Sequence, residues 1–255
     1  MERMVYKEKI VNWLKEYAES NNMDGFVVGI SGGIDSAVTS TLCALTGLKV
    51  RVLTMPIHQD PALHSLSELQ IKWLEDNFSN VIGDCIDLTN VYDSFEESVC
   101  TNELGLANTR ARLRMTTLYA VAGDLKLLVA GTGNKVEDFG VGFFTKYGDG
   151  GVDISPIADL MKSQVYELAK KLGVPQEIQD VPPTDGLWGD SRNDEDQLGA
   201  TYDELEWAMK WCEDKAVKGL VRLTPRQKKV LDIYSNLHNQ NYHKMIPIPV
   251  CKINE

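Results

Sequence analysis

The feature that most constrains this chain is a regular alternation of short β-branched runs with longer helix-compatible segments. Strands are expected at residues 25–30, 48–56, 80–88 and 125–131. These runs are apolar, short and bounded by turn residues, as is typical of buried parallel strands. Helices are expected between them, at residues 37–45, 65–78 and 104–122. Because strand and helix alternate, the sequence predicts an α/β fold with a doubly wound, mostly parallel sheet flanked by helices.

The second half of the chain contains two long stretches of turn-forming residues. Residues 140–153 are rich in glycine, and residues 181–196 are rich in proline, glycine, aspartate and asparagine. Long loops in compact proteins are commonly lids or binding loops, so mobile loops are expected at both places. A disordered acidic excursion is the alternative for the second stretch. Further helices are expected at residues 159–172, 203–217 and 225–239, and the absence of repeats or linkers predicts a single domain over residues 1–255.

Composition excludes several classes of partner. The chain has 26 basic and 37 acidic residues, and its net charge of -11 argues against delocalised binding to nucleic acid or to an anionic membrane. No apolar run is long enough to span a bilayer, and the amphipathic N-terminal helix lacks the continuous apolar region of a signal peptide. The five cysteines are dispersed and form no C-x-x-C pair, which favours reduced core thiols. We therefore expect a cytoplasmic protein without nucleic-acid or membrane partners.

The sequence GISGGIDS at residues 29–36 follows the first expected strand and opens the helix after it. Its paired glycines permit a tight turn with inward N–H groups, its serines add hydroxyls, and the helix N-terminus adds a partial positive charge. The segment therefore predicts a cradle for phosphate. Asp35 would repel phosphate unless a cation lay between them, which points to a Mg²⁺ ligand. The alternative is an ordinary glycine-rich turn in which Asp35 or Ser36 caps the helix.

SGGIDS also resembles the signature of the ATP pyrophosphatases, which cleave ATP to AMP and pyrophosphate while activating a carboxylate or carbonyl oxygen. Three further segments, together with the pair His243–Lys244, are similar to motifs of the NAD synthetase family within that superfamily. They are ARLRMTTLY at 111–119, GTGNKVE at 131–137 and FFTKYGDGGVDISPIAD at 143–159. Two alternatives remain open, which are another ATP-pyrophosphatase synthetase and a non-catalytic adenine-nucleotide sensor.

The resemblance implies a Rossmann-like fold of the ATP pyrophosphatase type and a ligase that makes NAD from deamido-NAD, ATP and ammonia. Such enzymes form an adenylate of the nicotinate carboxylate, release pyrophosphate, and let ammonia displace AMP. Because 255 residues leave no room for a fused glutaminase, the expected nitrogen donor is free ammonium, or ammonia that a separate partner protein provides. Mg²⁺ is the expected cofactor, and the family's usual homodimer is the expected assembly.

Site residues are assigned from the positions that match the family's motifs. Those expected to contact ATP are Gly29, Ile30, Ser31, Gly32, Gly33, Ile34, Asp35, Ser36, Thr132, Lys162 and Thr184. The expected magnesium ligands are Asp35 and Glu137. Those expected to contact deamido-NAD are Arg112, Lys146, Asp153, His243 and Lys244. The expected catalytic residues are Asp35, Lys162 and Asp153, and Asp153 is nominated to deprotonate ammonium. The alternative for Arg112 and for the neighbouring Arg114 is an exposed helix arginine.

Overall fold

A four-stranded parallel sheet forms the centre of the fold. The computed structural model describes residues 5–184, 193–214 and 222–253. The strands are β1 (Gly25–Gly29), β2 (Lys49–Thr54), β3 (Val81–Cys85) and β4 (Leu127–Val129), in the spatial order β3-β2-β1-β4. All neighbouring pairs run parallel. The chain builds outward from β1 to β3 and then returns to the other side of β1, which confirms the expected doubly wound α/β fold.

Helices connect the strands and build the C-terminal half. They are α1 (Val5–Ser20), α2 (Ile34–Ala44), α3 (Pro61–Asn77), α4 (Thr89–Ser98), α5 (Glu103–Leu125), α6 (Lys162–Leu172), α7 (Gln176–Gln179), α8 (Asp194–Leu198), α9 (Tyr202–Glu213) and α10 (Pro225–Met245). A π-helix spans Val136–Val141, between β4 and α6. The sequence did not predict α4, α7, α8 or the π-helix. Several expected helix boundaries are wrong by three or more residues, most of all at the start of α3 and at the ends of α9 and α10.

Local sequence signals explain the start of α3 and the end of α10. α3 begins at Pro61 because the Asp60 side chain accepts a hydrogen bond from the Ala62 N–H and caps the helix there. α10 continues past residue 239 as far as Met245. Pro247 lies two residues beyond that end, and it disfavours helical geometry at the residue before it.

β1 is buried on both faces, which explains its unbroken apolar sequence. Phe26 and Val28 face a core cluster shared with α2 and α6, whereas Val27 faces a second cluster shared with α5. Side chains alternate across a strand, so α2 and α6 lie on one face of the sheet and α5 lies on the other. The strand order reverses between β1 and β4. The loops that follow these two strands therefore open a crevice at the carboxyl edge of the sheet, where ligands of open α/β sheets bind.

The two stretches that were expected to be long loops contain some regular structure. The π-helix extends into the first stretch, and α8 begins within the second. Residues 185–192 of the second stretch lie outside the described residues. The mobility of both loops, like the single-domain organisation, stays a prediction.

The structure tests two of the expectations that came from composition. Within the described ranges, no helix is both long and apolar enough to cross a bilayer. Of the five cysteines only Cys43 is buried, whereas Cys85, Cys100 and Cys251 are exposed. The expectation that all five cysteines are core thiols is therefore wrong.

Candidate active site

The main cleft, with a volume of about 260 Å³, opens at the carboxyl ends of β1, β2 and β4. It is lined by the whole glycine-rich loop Gly29–Ser36 and by Thr132, Glu137, Lys162 and Thr184. Every residue that the sequence assigned to ATP or magnesium is in this list. The fold thus brings these residues together from β1, β4, α6 and the segment before residue 185.

The glycine-rich loop is held in shape by its own serines. Ser36 Oγ donates to the Gly33 carbonyl at 2.9 Å, and Ser31 Oγ accepts from the Gly33 N–H at 3.2 Å. Gly32 has a φ of +86°, a left-handed conformation that favours glycine, and its Cα lies close against α3. Gly33 caps α2 without a side-chain hydrogen bond, so neither Asp35 nor Ser36 is the N-cap. The ordinary capped-turn alternative does not describe this loop.

Lys162 lies at the centre of the charged groups in the main cleft. It is only 3% exposed, and its Nζ lies 2.5 Å from Asp35 Oδ2 and 3.2 Å from Glu137 Oε1. Burial alone would lower the pKa of Lys162, but the two carboxylates outweigh burial and raise it. Lys162 is also the first residue of α6, where the partial positive charge of the helix opposes a cation. The ammonium is therefore held in place by Asp35 and Glu137.

Asn134 positions both of these carboxylates. Its side chain is fully buried, and its Nδ2 donates to Asp35 Oδ1 at 3.2 Å. Its Oδ1 accepts hydrogen bonds from the Val136 and Glu137 N–H groups, at 3.1 and 3.2 Å. One amide thus connects the loop after β1 to the start of the π-helix that carries Glu137. π-helical turns frequently occur at functional sites.

Tyr202, the first residue of α9, contacts both Glu137 and Lys162. Its hydroxyl donates to Glu137 Oε1 at 2.6 Å and lies 3.2 Å from Asp194 Oδ2. Its ring centroid lies 4.6 Å from Lys162 Nζ, within the range of a cation–π interaction. Burial, and then the charges of Glu137 and Asp194, raise the pKa of Tyr202. The hydroxyl therefore remains a proton donor at physiological pH.

Asp138 also lines the main cleft, and its carboxyl group has a raised pKa. Burial, and then the charges of the neighbouring Glu137, Asp149 and Asp35 carboxylates, raise its pKa to about 8. Asp138 is thus mostly protonated at neutral pH, unlike an exposed aspartate. Gly133 is required beside it, because a Cβ at residue 133 would collide with the Asp138 carboxyl group.

The residues present suit a magnesium ion. Asp35 and Glu137 approach the same Lys162 ammonium, so both carboxylates already point toward one cation position. In the described part of the chain, no group of three or more His, Cys, Asp or Glu side chains is placed to hold a metal by itself. Proteins usually bind Mg²⁺ through one or two carboxylates that are completed by substrate phosphates. The donor set therefore fits a magnesium ion that arrives with a nucleotide.

Four of the five residues assigned to deamido-NAD form a separate cationic group outside the main cleft. Arg112 Nη2 donates to the Lys146 carbonyl at 3.3 Å, and Lys146 Nζ donates to the His243 carbonyl at 3.1 Å. Lys244 Nζ donates to the carbonyl of Phe144, which itself lines the main cleft, at 2.7 Å. The cationic group, defined as Arg112, Lys146, His243 and Lys244, therefore adjoins the main cleft through Phe144.

Asp153 is placed apart from both groups. Its Oδ1 accepts from the Tyr119 hydroxyl at 3.0 Å, and its Oδ2 accepts from the Val129 N–H at 2.8 Å. Asp153 is not among the described residues that line the main cleft. The structure therefore does not bring this nominated base into contact with Lys162 or with Asp35.

The sequence reasoning missed Arg114, which lines the main cleft, and two residues that contact its charged side chains, Asn134 and Tyr202. Arg114 is half-buried in the cleft, where its Nε donates to the Met55 carbonyl at 3.0 Å and its Nη2 donates to Gln59 Oε1 at 3.1 Å. The alternative of an exposed helix arginine is wrong for Arg114, and its position two residues after Arg112 was the available signal. Asn134 was inside a recognised motif without an assigned role. No local pattern distinguished Tyr202 from an ordinary core tyrosine.

The fold and the cleft place the protein among the nucleotide-binding α/β enzymes, because ligands of such sheets bind where the strand order reverses. There a glycine-rich loop meets two carboxylates and a buried lysine. The family model described as NAD synthase matches residues 6–247. The chain therefore belongs to the NAD synthase family.

The most informative relatives are synthetases of nicotinamide nucleotides. The chain is 38% identical over 266 residues to the NH(3)-dependent NAD(+) synthetase of Alkaliphilus metalliredigens, covering 99% of this chain and 100% of the relative. Among solved structures, it is similar to an NMN synthetase from Francisella tularensis, with a TM-score of 0.87 and 34% identity over 98% of this chain and 99% of that one. The NH3-dependent NAD synthetase from Campylobacter jejuni gives a TM-score of 0.80 and 27% identity, over 99% and 100% of the two chains. The chain is accordingly a ligase of NAD biosynthesis.

Proposed function

We propose that the main cleft binds ATP with Mg²⁺ held by Asp35 and Glu137, and that the adjoining cationic group binds deamido-NAD. The convergence of two carboxylates on the Lys162 ammonium, directly beside the glycine-rich loop, is the observation that carries this assignment. When bound, Mg²⁺ supplies positive charge that offsets the phosphates of ATP and of the departing pyrophosphate.

The electrostatics of the main cleft explain why ATP would need that cation. Asp35 and Glu137 carry two negative charges against the single charge of Lys162, and Asp194 lies nearby. An ATP molecule that entered alone would meet net repulsion. The N–H groups of the glycine-rich loop and the start of α2 bind the phosphates, and Lys162 offsets charge that develops on the leaving pyrophosphate.

The reaction proceeds in two balanced steps. A nicotinate carboxylate oxygen attacks the α-phosphorus of ATP, and the bond from that phosphorus to pyrophosphate breaks. The nitrogen of ammonia then attacks the acyl carbon, the bond from that carbon to AMP breaks, and one proton leaves the nitrogen. Asp153 is the nominated proton acceptor, and its place on the same segment as Lys146 supports that nomination. Thr184, at the edge of the cleft, is assigned to ATP.

We also propose a homodimer and a cytoplasmic location. Apolar side chains are exposed on α4 and α5, among them Val91, Phe95 and Leu104. They lie on the helix pair that also carries Arg112, so a second copy of the chain would cover them beside the cationic group. The cytoplasmic location follows from the metabolites consumed. Light scattering after size-exclusion chromatography would test the dimer, and a monomeric mass would contradict it.

A direct assay tests the proposed activity. The protein is mixed with ATP, Mg²⁺, ammonium and deamido-NAD, and the products are separated by chromatography. Equal amounts of NAD, AMP and pyrophosphate are expected, and chelation of Mg²⁺ should stop their formation. Formation of ADP, or turnover that does not depend on deamido-NAD, would contradict the proposal.

A second candidate substrate is the mononucleotide that corresponds to NMN. It is favoured by the similarity to the Francisella tularensis NMN synthetase, whose TM-score of 0.87 exceeds the 0.80 for the Campylobacter jejuni NAD synthetase. The same assay with nicotinate mononucleotide in place of deamido-NAD separates the two substrates. A larger kcat/KM for deamido-NAD is expected, and the reverse order would assign the mononucleotide.

A further inference from the structure

Tyr202 contacts three charged side chains that line the main cleft, which are those of Glu137, Lys162 and Asp194. We propose that Tyr202 is a positioning residue for the ligase reaction, which fixes the Glu137 carboxylate through its hydroxyl and the Lys162 ammonium through its ring. This inference rests on the proposed function of the main cleft. No motif in the sequence marks the residue.

The contacts of Tyr202 divide between its two ends. The hydroxyl donates to Glu137 Oε1 at 2.6 Å, a short bond to a charged acceptor and hence a strong one. The ring centroid lies 4.6 Å from Lys162 Nζ, within the range of a cation–π interaction. Glu137 and Lys162 are the proposed magnesium ligand and the proposed phosphate contact. A displacement of Tyr202 would therefore affect two groups proposed to bind Mg²⁺ and ATP, the Glu137 carboxylate and the Lys162 ammonium.

Tyr202 is also held by contacts that lie outside the cleft. It follows the N-cap Thr201, which forms a capping box with Glu204. Glu204 makes a double ion pair with Arg226, at the start of α10. The Tyr202 N–H also donates to Glu195 Oε1 at 2.8 Å. Helix capping and the ion pair with α10 thus hold the start of α9, and Tyr202 with it.

Tyr202 also connects the cleft to the segment around residues 181–196. Asp194 Oδ2 lies 3.2 Å from the same hydroxyl, and the Asp194 N–H donates to the Pro183 carbonyl at 3.0 Å. Pro183 and Asp194 both line the main cleft, from the two sides of residues 185–192. The hydroxyl has one proton and two carboxylate neighbours, so the position of Asp194 influences how firmly Glu137 is held.

The competing explanation is that Tyr202 only fills a further hydrophobic core, formed by the π-helix, α9 and α10, which also contains Leu205 and Val230. Tyr202→Phe separates the two roles, because it keeps the ring and removes only the hydroxyl. Tyr234→Phe is the matched control, since Tyr234 is a buried tyrosine of the same core that lies outside the main cleft.

The experiment measures ATP binding by calorimetry with Mg²⁺ and with EDTA, together with kcat and Tm, for the wild type and both variants. Tyr202→Phe is expected to weaken Mg²⁺-dependent ATP binding and to lower kcat by about 10- to 100-fold, the loss typical of a hydrogen bond to a charged group. Binding in EDTA should change by less than about twofold, because the hydroxyl acts through Glu137. Tyr234→Phe should leave ATP binding and kcat at the wild-type values.

Two results would overturn the inference. If Tyr202→Phe matches Tyr234→Phe in Mg²⁺-dependent ATP binding and kcat, the hydroxyl positions nothing and the residue is structural. If Tyr202→Phe weakens ATP binding equally with Mg²⁺ and with EDTA, it does not act through Glu137. A wild-type protein that shows no Mg²⁺-dependent ATP binding would instead overturn the proposed function, and this inference with it.

Discussion

The Lys162 ammonium lies between two partly buried carboxylates, so its removal should cost stability that can be measured. Lys162→Met keeps most of the length of the side chain and removes its charge. Asp35 and Glu137 then face each other without the ammonium that lies 2.5 and 3.2 Å from them. The variant should be less stable than the wild type, and Mg²⁺ should restore part of that stability by replacing the lost positive charge.

The magnitude follows from burial. Lys162 is 3% exposed, and removing one partner of a buried ion pair costs about 3–5 kcal/mol because the remaining charge is left uncompensated. In a chain of 255 residues, each kcal/mol moves Tm by about 2–4 °C. The Tm of Lys162→Met in EDTA should therefore fall by roughly 6–20 °C. Turnover should fall about 100-fold or more, as for the loss of a group that stabilises developing charge.

Thermal unfolding in EDTA and in millimolar Mg²⁺, followed by circular dichroism, would measure these shifts. Lys49→Met is the control, because Lys49 Nζ lies 2.7 Å from Asp24 Oδ2 while the two side chains are 70% and 42% exposed. Its cost should stay below about 1 kcal/mol. The reasoning is refuted if Lys162→Met is as stable as Lys49→Met in EDTA, or if Mg²⁺ stabilises it no more than the wild type.

Three further changes test other parts of the site. Asp35→Ala should abolish turnover while the far-UV circular dichroism stays that of the wild type, and retained turnover would remove its role at the metal. Gly32→Ala should weaken ATP binding about tenfold, because a left-handed φ of +86° strains alanine and its methyl would press on the Leu63 carbonyl 3.0 Å away; calorimetry would measure this, and unchanged affinity would speak against the strain. Asp138→Asn should flatten the pH dependence of the unfolding free energy between about pH 4 and pH 8. Since the Asp138 pKa is raised to about 8, the folded wild type holds a proton that the unfolded chain has released, and it loses stability as the pH rises through that range. Urea unfolding at several pH values would measure the unfolding free energy of both proteins. Equal slopes of that free energy against pH in the wild type and in Asp138→Asn would contradict this account.

The sheet and the phosphate loop were predictable because their determinants are local. β1 is buried on both faces, so it reads as an unbroken apolar run, and paired glycines mark the turn that follows it. The same local signals failed at α10, where a polar C-terminal half was read as the end of the helix. The helix continues there because no helix-breaking residue occurs before Pro247.

The residues that position the charged centre were not predictable in this way. Asn134 reaches Asp35 across 99 positions of sequence, and Tyr202 reaches Glu137 across 65. Each looks locally like a polar loop residue or the first residue of an amphipathic helix. Their roles depend on which distant side chains the fold places beside them. Motif resemblance found the groups expected to touch substrate, whereas only the structure reveals the groups that hold them.

The pairing of Lys162 with Asp35 spans 127 positions and therefore also bears on how the chain is made. At a synthesis rate of about 5–20 residues per second, Asp35 leaves the ribosome's active site roughly 6–25 s before Lys162 exists. During that interval the glycine-rich loop carries a carboxylate without its cation. Because closing such a long loop is a slow step in folding, the centre is completed late. A nascent chain that has already built β1 and α2 thus remains inactive until α6 docks on them.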